Sequence, residues 1–560
     1  MVWDINAPQG NESGKIKWEI VRWTRGQGLD LGCGLAKTFP HFIGVDNGKD
    51  GVLFGHPINP DVRVQTAAEL PMFASGSMDF VFASHLLEHF PLTFDDPRKW
   101  PNPIARAMAE KMMMERHTAE EALREWMRVL KKGGYLILYV PDEEEYPKVG
   151  EEGANPDHCF NCNYDTIVQL MTKTGHSWDL VDFQKRNHDN EYSLFFVFER
   201  SGSGRRFSYA EKQRARLARK TCGLVRYGAY GDLLQVSSVL AGLSEQGYHT
   251  TLYTSAPGHE VILNDPHVDV IYLQDKDQVP NHLLADFWRH ESRKYNKWVN
   301  LSESVECTLL SVPGRTPHLW SAPARHRYMN HNYVEMQHAI AGVPHVPRVR
   351  FFATDAEQRW ATQERQRLGG EPLILWSLNG SSVHKTWGGL DQTIASILVE
   401  FQKAHIVLVG GADSAILEGG WEKEPRVHCR AGKYTIRETM ALVERVDLLI
   451  GPETGVMNAA SCLPMPKIIF LSHSTHENLT RDWINTFAIF SPHTVCPGRG
   501  NNEAPACHQM HYGWEFCKQY RAEGDPQDGT AQCQADIDGA AAWGLIRAAI
   551  RTVSPLIQVA

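Results

Sequence analysis

The chain has 560 residues, 42% hydrophobic and 22% charged, with a formal net charge of −9. That length accommodates roughly three or four domains, and the composition is that of globular protein rather than of a disordered or fibrous chain. The negative balance argues against a generic nucleic-acid coat, and no apolar run approaches the ~20 residues of a membrane helix. With no signal-peptide pattern in Met1–Asn6, a cytoplasmic protein is expected. Of the eleven cysteines, seven are dispersed over the first 462 residues and four fall between Cys496 and Cys533. In a reducing compartment such a cluster reads as thiols or a metal site rather than as disulfides.

Gln27–Gly34 reads as a buried strand running into a Gly-x-Gly turn, and His41–Val45 as a second strand ending in Asp46-Asn47. An acid at the end of a second strand is placed to take the two ribose hydroxyls of a bound nucleoside. Met78–Ala83 is another strand. Glu121–Gly134 is an amphipathic helix with a glycine stop, leading into strand Tyr135–Val140. Strands alternating with helices predict a doubly wound parallel sheet. His85 and His89 follow the third strand, either as bases or as packing residues. Asn155–Cys162 carries His158, Cys159 and Cys162 close together, and metal ligation is one reading of that set.

Leu29-Asp-Leu-Gly-Cys-Gly34, Asp46, Ser84-His-Leu-Leu-Glu-His89 and Arg128-Val-Leu-Lys-Lys-Gly-Gly134 resemble, in order, the motifs of class I S-adenosylmethionine-dependent methyltransferases. The resemblance covers most of residues 20–200, and it implies that the His-containing segment Asn155–Cys162 frames the acceptor pocket instead of holding a metal. It implies that Asp30, Gly32 and Gly34 surround the methionine part of the cofactor, Asp46 the ribose, and Glu69 and Leu70 the adenine, with Ser84 in the same set. Ala36 replaces the family's third glycine, and Thr66 falls where an acid usually grips the adenine amine. The alternative is a folded but inactive methyltransferase-like domain. The motifs of DNA-methylating members are absent.

Ser201–Gly204 reads as a flexible link. The basic helical pattern 205–220 after it is either a solvated linker helix or a contact to nucleic-acid or glycan phosphates. Next, Leu224–Val236 carries an apolar strand into Gly228 and Gly231, then Asp232 and a helix at Leu233–Gln246. Glycines there let the backbone turn tightly or approach a ligand, and strand ends of open α/β sheets are where ligands bind. Strands follow at Thr250–Thr254 and Ile271–Leu273. A third α/β unit then contains strands Leu373–Ser377, His405–Val409 and Val446–Ile450, with loops at Asn379–Lys385, Gly410-Gly411 and Gly451–Ala460.

Tyr227–Leu234, Asn379–Trp387, Leu408–Gly411 and Glu453–Ala460 resemble the heptosyltransferase-like glycosyltransferases over about residues 222–475. The resemblance implies two Rossmann-like domains in a GT-B fold and an inverting transfer from a nucleotide-sugar donor. It assigns Asp232 as the catalytic base. Gly231, Asn379, Lys385, Gly411, Glu453, Thr454, Gly455 and Asn458 become the donor-binding set, with Lys385 and the amides near Thr454-Gly455 facing the leaving diphosphate. Glu453 and Asn458 stand where the family has Asp and His. Taken alone, Asp232 also suits a helix N-cap, and Lys385 a solvated loop lysine.

Cys496, Cys507, Cys517 and Cys533, with His493, His508 and His511 among them, either hold a structural zinc or remain free thiols, and Ile537–Thr552 reads as a closing amphipathic helix. The expected fold class is α/β, laid out as a methyltransferase-like domain at 1–200, a basic linker at 201–220, GT-B halves at 221–365 and 366–495, and a Cys-rich tail with closing helix at 496–560. The expected protein is a bifunctional transferase using S-adenosylmethionine and a nucleotide-sugar on a glycan or related polymer. Two alternatives stand beside it: glycosylation of a modified DNA base in a bacteriophage setting, and a non-catalytic carbohydrate-binding scaffold retaining both folds.

Overall fold

The computed structural model describes residues 12–48, 52–53, 56–94, 117–188, 190–201, 220–303, 331–380, 385–472, 474–490 and 532–554. The link 202–204, the basic pattern up to residue 219, and Cys496, Cys507 and Cys517 with their neighbouring histidines lie outside them. The chain divides into two units, the first holding Met1–Ala218 with Gln274–His290 and the second Arg219–Leu273 with Glu291–Ala560.

The sheet of the first unit contains β1 (Gly28–Leu31), β2 (Ile43–Asp46), β5 (Val62–Arg63), β6 (Met78–Ser84), β7 (Leu130–Pro141), β8 (Asp179–Arg186) and β9 (Ser193–Glu199). β3 (Val52–Leu53) and β4 (His56–Pro57) form a separate antiparallel pair. The strand order is β5-β2-β1-β6-β7-β9-β8. The first five are parallel, but β9 runs antiparallel to β7, and β8 to β9. The expectation of a wholly parallel sheet is thereby corrected. The few residues between β8 and β9 suffice only for an antiparallel pair, because a parallel pair needs a crossover of about a dozen residues or more.

The helix Ala119–Val129 starts with a reciprocal cap between Thr118 and Glu121 and lays Ala122, Leu123, Trp126 and Met127 on the sheet. It ends sooner than its periodicity predicts. Leu130 already pairs with Met78 as strand, so β7 begins there and Gly133, at φ +80°, lies within the strand rather than stopping the helix.

The second unit contains two sheets. One has the order β12-β11-β10-β13, from β10 (Thr221–Val225), β11 (His249–Thr254), β12 (Val270–Leu273) and β13 (Lys297–Asn300). The other has the order β16-β15-β14-β17-β18-β19, from β14 (Leu373–Ser377), β15 (His405–Val409), β16 (Val427–Cys429), β17 (Leu448–Pro452), β18 (Lys467–Phe470) and β19 (Thr486–Ile489). Every pairing in both is parallel. Each order reverses beside its first strand, β10 or β14, which creates a switch-point crevice at the carboxyl ends. β17 starts two residues later than its apolar pattern predicts, carrying Gly451 and Pro452 into the ladder against Ile469 and Phe470.

The closing helix Gly539–Val553, capped by Asp538 on the amides of Ala540 and Ala541, belongs to the core of this second sheet. Ala542, Ile546, Ala549 and Ile550 pack with Ile374, Trp376, Ile406 and Ile450. Ile546 is fully buried, so Ile546→Ala is expected to cost about 2–5 kcal/mol. Denaturant unfolding monitored by tryptophan fluorescence measures this. A change below about 0.5 kcal/mol would mean the helix does not carry the core.

Candidate functional site

In the first unit the predicted cofactor residues converge at the carboxyl ends of β1, β2 and β6. Gly32 (φ +66°) and Gly34 (φ +55°) adopt left-handed conformations that glycine takes without strain. A Cβ at Gly34 would meet nothing within 4 Å, so open space lies over the turn. Asp46 ties two loops together. Its Oδ2 accepts from the Gly34 amide at 3.1 Å and its Oδ1 from the Gly48 amide at 2.7 Å. Each carboxylate oxygen has a second lone-pair direction left for a hydroxyl. Asp30 is buried, accepts from the Thr38 amide at 2.7 Å and so braces the loop from below. Burial raises its pKa to about 6, against the lowering effect of that hydrogen bond. Ser84 ends β6, and its buried Oγ has no hydrogen-bond partner among the described residues.

The adenine-side pair divides. Glu69 is exposed, 3.3 Å from the His117 ring. Leu70 is wholly buried, with its amide on Glu125 Oε1 (2.8 Å) and its carbonyl on Arg128 Nη2 (3.0 Å), so its side chain serves the core rather than lying open to a ligand. Thr66 holds a local turn through the Ala68 amide. His85 packs on Tyr139, with Nε2 2.9 Å from Ser193 Oγ, and burial pushes its pKa down to about 3. Such an imidazole holds a proton too weakly to serve as a base near neutrality.

In the second unit the helix is Tyr230–Glu245, three residues earlier than its apolar pattern predicts, and Asp232 lies within its first turn. It is therefore not the N-cap. Asp232 Oδ2 accepts from the Ala229 amide at 2.8 Å, and Oδ1 stands 2.9 Å from Arg226 Nη2. Arg226 leaves β10 fully buried, and its Nη1 donates to the Leu301 carbonyl at 3.3 Å. The carboxylate folds back over Gly228 (φ +148°), where a Cβ would sit 2.6 Å from Oδ2. The acid is thus held from two sides with 16% of its side chain exposed.

Gly231 and Gly455 face one another rather than open space. A Cβ at Gly231 would be 2.9 Å from Asn458 Nδ2, and one at Gly455 2.7 Å from Tyr230 Cβ. Asn458 is buried in this seam. Its Nδ2 donates to the Thr454 carbonyl (2.9 Å) and its Oδ1 accepts from Gln235 Nε2 (3.2 Å), whose Oε1 accepts in turn from Gln337 Nε2 (2.9 Å). Thr454 caps the Gly455–Ala460 helix through the Met457 amide, and its Oγ1 lies 3.3 Å from Ser377 Oγ at the end of β14. Glu453 is buried, with Oε1 accepting from the Ser472 amide (2.7 Å) and the Ser474 amide (3.2 Å).

Asn379 Oδ1 accepts from Ser414 Oγ at 2.6 Å, which joins the β14 loop to the loop that begins at Gly410-Gly411. Lys385 is buried, 8% exposed, with its Cδ 2.4 Å from where a Cβ on Gly380 would stand, so it is not a solvated loop lysine. Sequence reasoning passed over Arg226, Gln235 and Gln337. Of these only Arg226 carried a signal, as a charge ending an apolar strand.

Residues 29–138 match the family described as a methyltransferase domain. Over that segment the chain is similar to this family. Solved structures similar to the chain include a glycosyl transferase family 9 protein from Veillonella parvula, at 16% identity, covering 49% of this chain and 86% of that one with a TM-score of 0.39. Another is the Escherichia coli ADP-heptose lipopolysaccharide heptosyltransferase II, at 13% identity, covering 60% and 99% with a TM-score of 0.40. A Thermotoga maritima S-adenosylmethionine-dependent methyltransferase is similar at 18% identity, covering 33% and 88% with a TM-score of 0.23. No curated protein matches the chain. The fold class is α/β, a Rossmann-like sheet in the first unit that carries the methyltransferase match, followed by two parallel, Rossmann-like sheets in the second unit. Among the described residues no helix is long and apolar enough to cross a membrane.

Of the four tail cysteines only Cys533 is described, within the short helix Gln532–Ala535, and a zinc among them gains no support.

Two outcomes follow from this geometry. Asp30 binds its proton more tightly when folded, at about 6 against 3.8. Its contribution to the first unit's stability is therefore full below about pH 4 and is lost as pH rises through about 6. Melting temperatures across that range are expected to change less steeply in Asp30→Asn, and an unchanged slope would refute the assignment. Gly455→Ala forces a methyl against Tyr230 and is expected to destabilise the second unit by about 1–3 kcal/mol, read by chemical denaturation. A neutral result would show that the seam is loose.

Proposed function

We propose that the chain is a bifunctional transferase, joining S-adenosylmethionine-dependent methyl transfer to inverting glycosyl transfer from a nucleotide-sugar to a hydroxyl of a glycan or related polymer. The proposed layout is a methyltransferase domain to about residue 200, a linker to about 220, acceptor and donor halves meeting near 365, and a tail from about 496, in a cytoplasmic protein. The observation that carries the glycosyl part is Asp232, fixed by Arg226 and the Ala229 amide at the carboxyl end of β10 and still partly exposed. A positioned carboxylate suits removal of a proton from an acceptor hydroxyl. As that oxygen bonds to the anomeric carbon, the bond to the leaving diphosphate breaks on the opposite face. Lys385 and the amides after Thr454 would receive the charge that develops there. Glu453, engaged with the Ser472 and Ser474 amides, would shape the donor loop.

The residues of the methyltransferase domain fit S-adenosylmethionine, given the open turn at Gly34 and the free lone pairs of Asp46. When bound, that cofactor supplies an electrophilic methyl group. Asp46 would orient its ribose, while Gly32, Gly34 and Ser84 line the approach. Tethering two transferases raises the local concentration of a shared acceptor.

Calorimetric titration of the full chain with a panel of nucleoside diphosphates and their sugars tests the reading. One nucleotide is expected to bind saturably, roughly tenfold more weakly in Lys385→Ala. Asp232→Asn is expected to keep that affinity and lose about 10²–10⁴-fold in transfer rate. If no nucleotide binds, or transfer survives in Asp232→Asn, the glycosyltransferase assignment fails.

A further inference from the structure

Beyond the β6 strand, the methyltransferase domain gathers a second set of polar side chains that the two transfer reactions leave unused. Glu88 sits in the turn Leu87–His89 and is 0% exposed, yet neither carboxylate oxygen has a hydrogen-bond partner among the described residues. Burying a carboxylate without donors is costly, and such groups are normally paired or bound to a metal. What surrounds Glu88 Oε1 is imidazole. His158 Nε2 stands at 3.7 Å and His85 Nδ1 at 3.6 Å. These separations are too long for hydrogen bonds. Ligand atoms bound to one ion at ~2.0–2.2 Å lie roughly 3–3.5 Å from one another, so only a small closure is needed. One ligand atom from each of Glu88, His89 and His158 falls within 4.8 Å of the others.

The local framework holds this set in place. The Cys159 amide donates to the Glu88 carbonyl at 2.7 Å, and Cys159 Sγ to the His89 carbonyl at 3.3 Å, locking the His158 loop onto the turn after β6. The rings of His89 and His158 stand edge-to-face at 5.0 Å. His85 adopts φ +48°, a left-handed conformation that a bulky side chain rarely takes, and it turns Nδ1 toward Glu88 while Ser193 Oγ holds Nε2.

We propose that Glu88, His89 and His158 bind a divalent transition-metal ion of the zinc, cobalt, manganese or iron(II) type. Two imidazoles and one carboxylate suit that class. Three protein ligands leave a coordination position for water or an oxygen of the acceptor. The position lies on the carboxyl side of β6, next to Leu86, whose side chain covers Gly32 of the cofactor turn at 3.2 Å from a Cβ built there. The ion is distinct from any zinc among the tail cysteines, and its binding does not depend on the glycosyltransferase reading.

The test uses the full chain, stripped with a chelator and titrated with Co²⁺ under visible spectroscopy, then with Zn²⁺ in competition. One Co²⁺ per chain is expected, with d–d bands and no thiolate charge-transfer band, displaced by Zn²⁺. Glu88→Gln keeps the shape of the side chain and is expected to weaken binding at least tenfold, as is His158→Ala. Circular dichroism and melting of each apo variant establish that it is folded. If His158→Ala does not fold, the glutamine variant and the wild-type spectrum decide. Failure of the wild-type chain to take up either ion, a thiolate band, or binding undiminished in Glu88→Gln would each overturn the proposal.

Discussion

Parallel pairing is the constraint on which the chemistry of this chain depends. A parallel strand returns through a crossover, so consecutive loops collect at one edge of the sheet, above the carboxyl ends. In the first sheet that edge receives the Gly32–Gly34 turn after β1, Asp46 at the end of β2, and Ser84 to His89 from the end of β6 onward. In the second unit the edge of one sheet receives Arg226 to Asp232 after β10, and that of the other receives Asn379 after β14, Gly411 after β15 and Glu453 to Asn458 after β17. Residues far apart in the chain thus become neighbours through strand order alone. Asn379 reaches Ser414, and Ser377 reaches Thr454.

The second unit shows how glycine is used at such an edge. A Gly-rich strand-to-helix turn invites the reading that a ligand approaches the bare backbone. At Gly231 and Gly455 the approaching group is protein instead, because the two helix starts close on one another around Asn458. The amide network Gln337–Gln235–Asn458–Thr454 satisfies the polar groups that this contact buries. Asp232 adjoins the seam. Its direction is set by a buried guanidinium and a backbone amide, so its rigidity derives from the packing of β10 and its neighbours.

Charge burial has different uses in the two units. Arg226 and Asp232 are compensated by each other. Asp30 is compensated by the Thr38 amide only in part, so its carboxyl holds a proton unusually well. Glu88 has the imidazoles of His85 and His158 beside its Oε1, at distances that a shared ion would close. The motif Ser84–His89 announced histidines after a strand. Its glutamate drew no notice, because a carboxylate beside histidine in sequence says nothing about whether donors reach it in the fold.

The sequence by itself determined the α/β class, the strands β1, β2, β6, β7, β10, β11, β12, β14, β15 and β17, and the loops where polar residues collect, because apolar runs and glycine turns are local signals. Helix starts were less legible. The Tyr230–Glu245 helix begins before its apolar stripe does, which moved Asp232 from cap to first turn. Only the tertiary structure decided the antiparallel edge at β8 and β9, the burial of Leu70 and Lys385, and the closing helix's place in the core of the second sheet. It alone brought His158 to Glu88, and Gln235 to Asn458. Those outcomes depend on which surfaces pack and which charges lose water, and both are properties of segments brought together from distant parts of the chain.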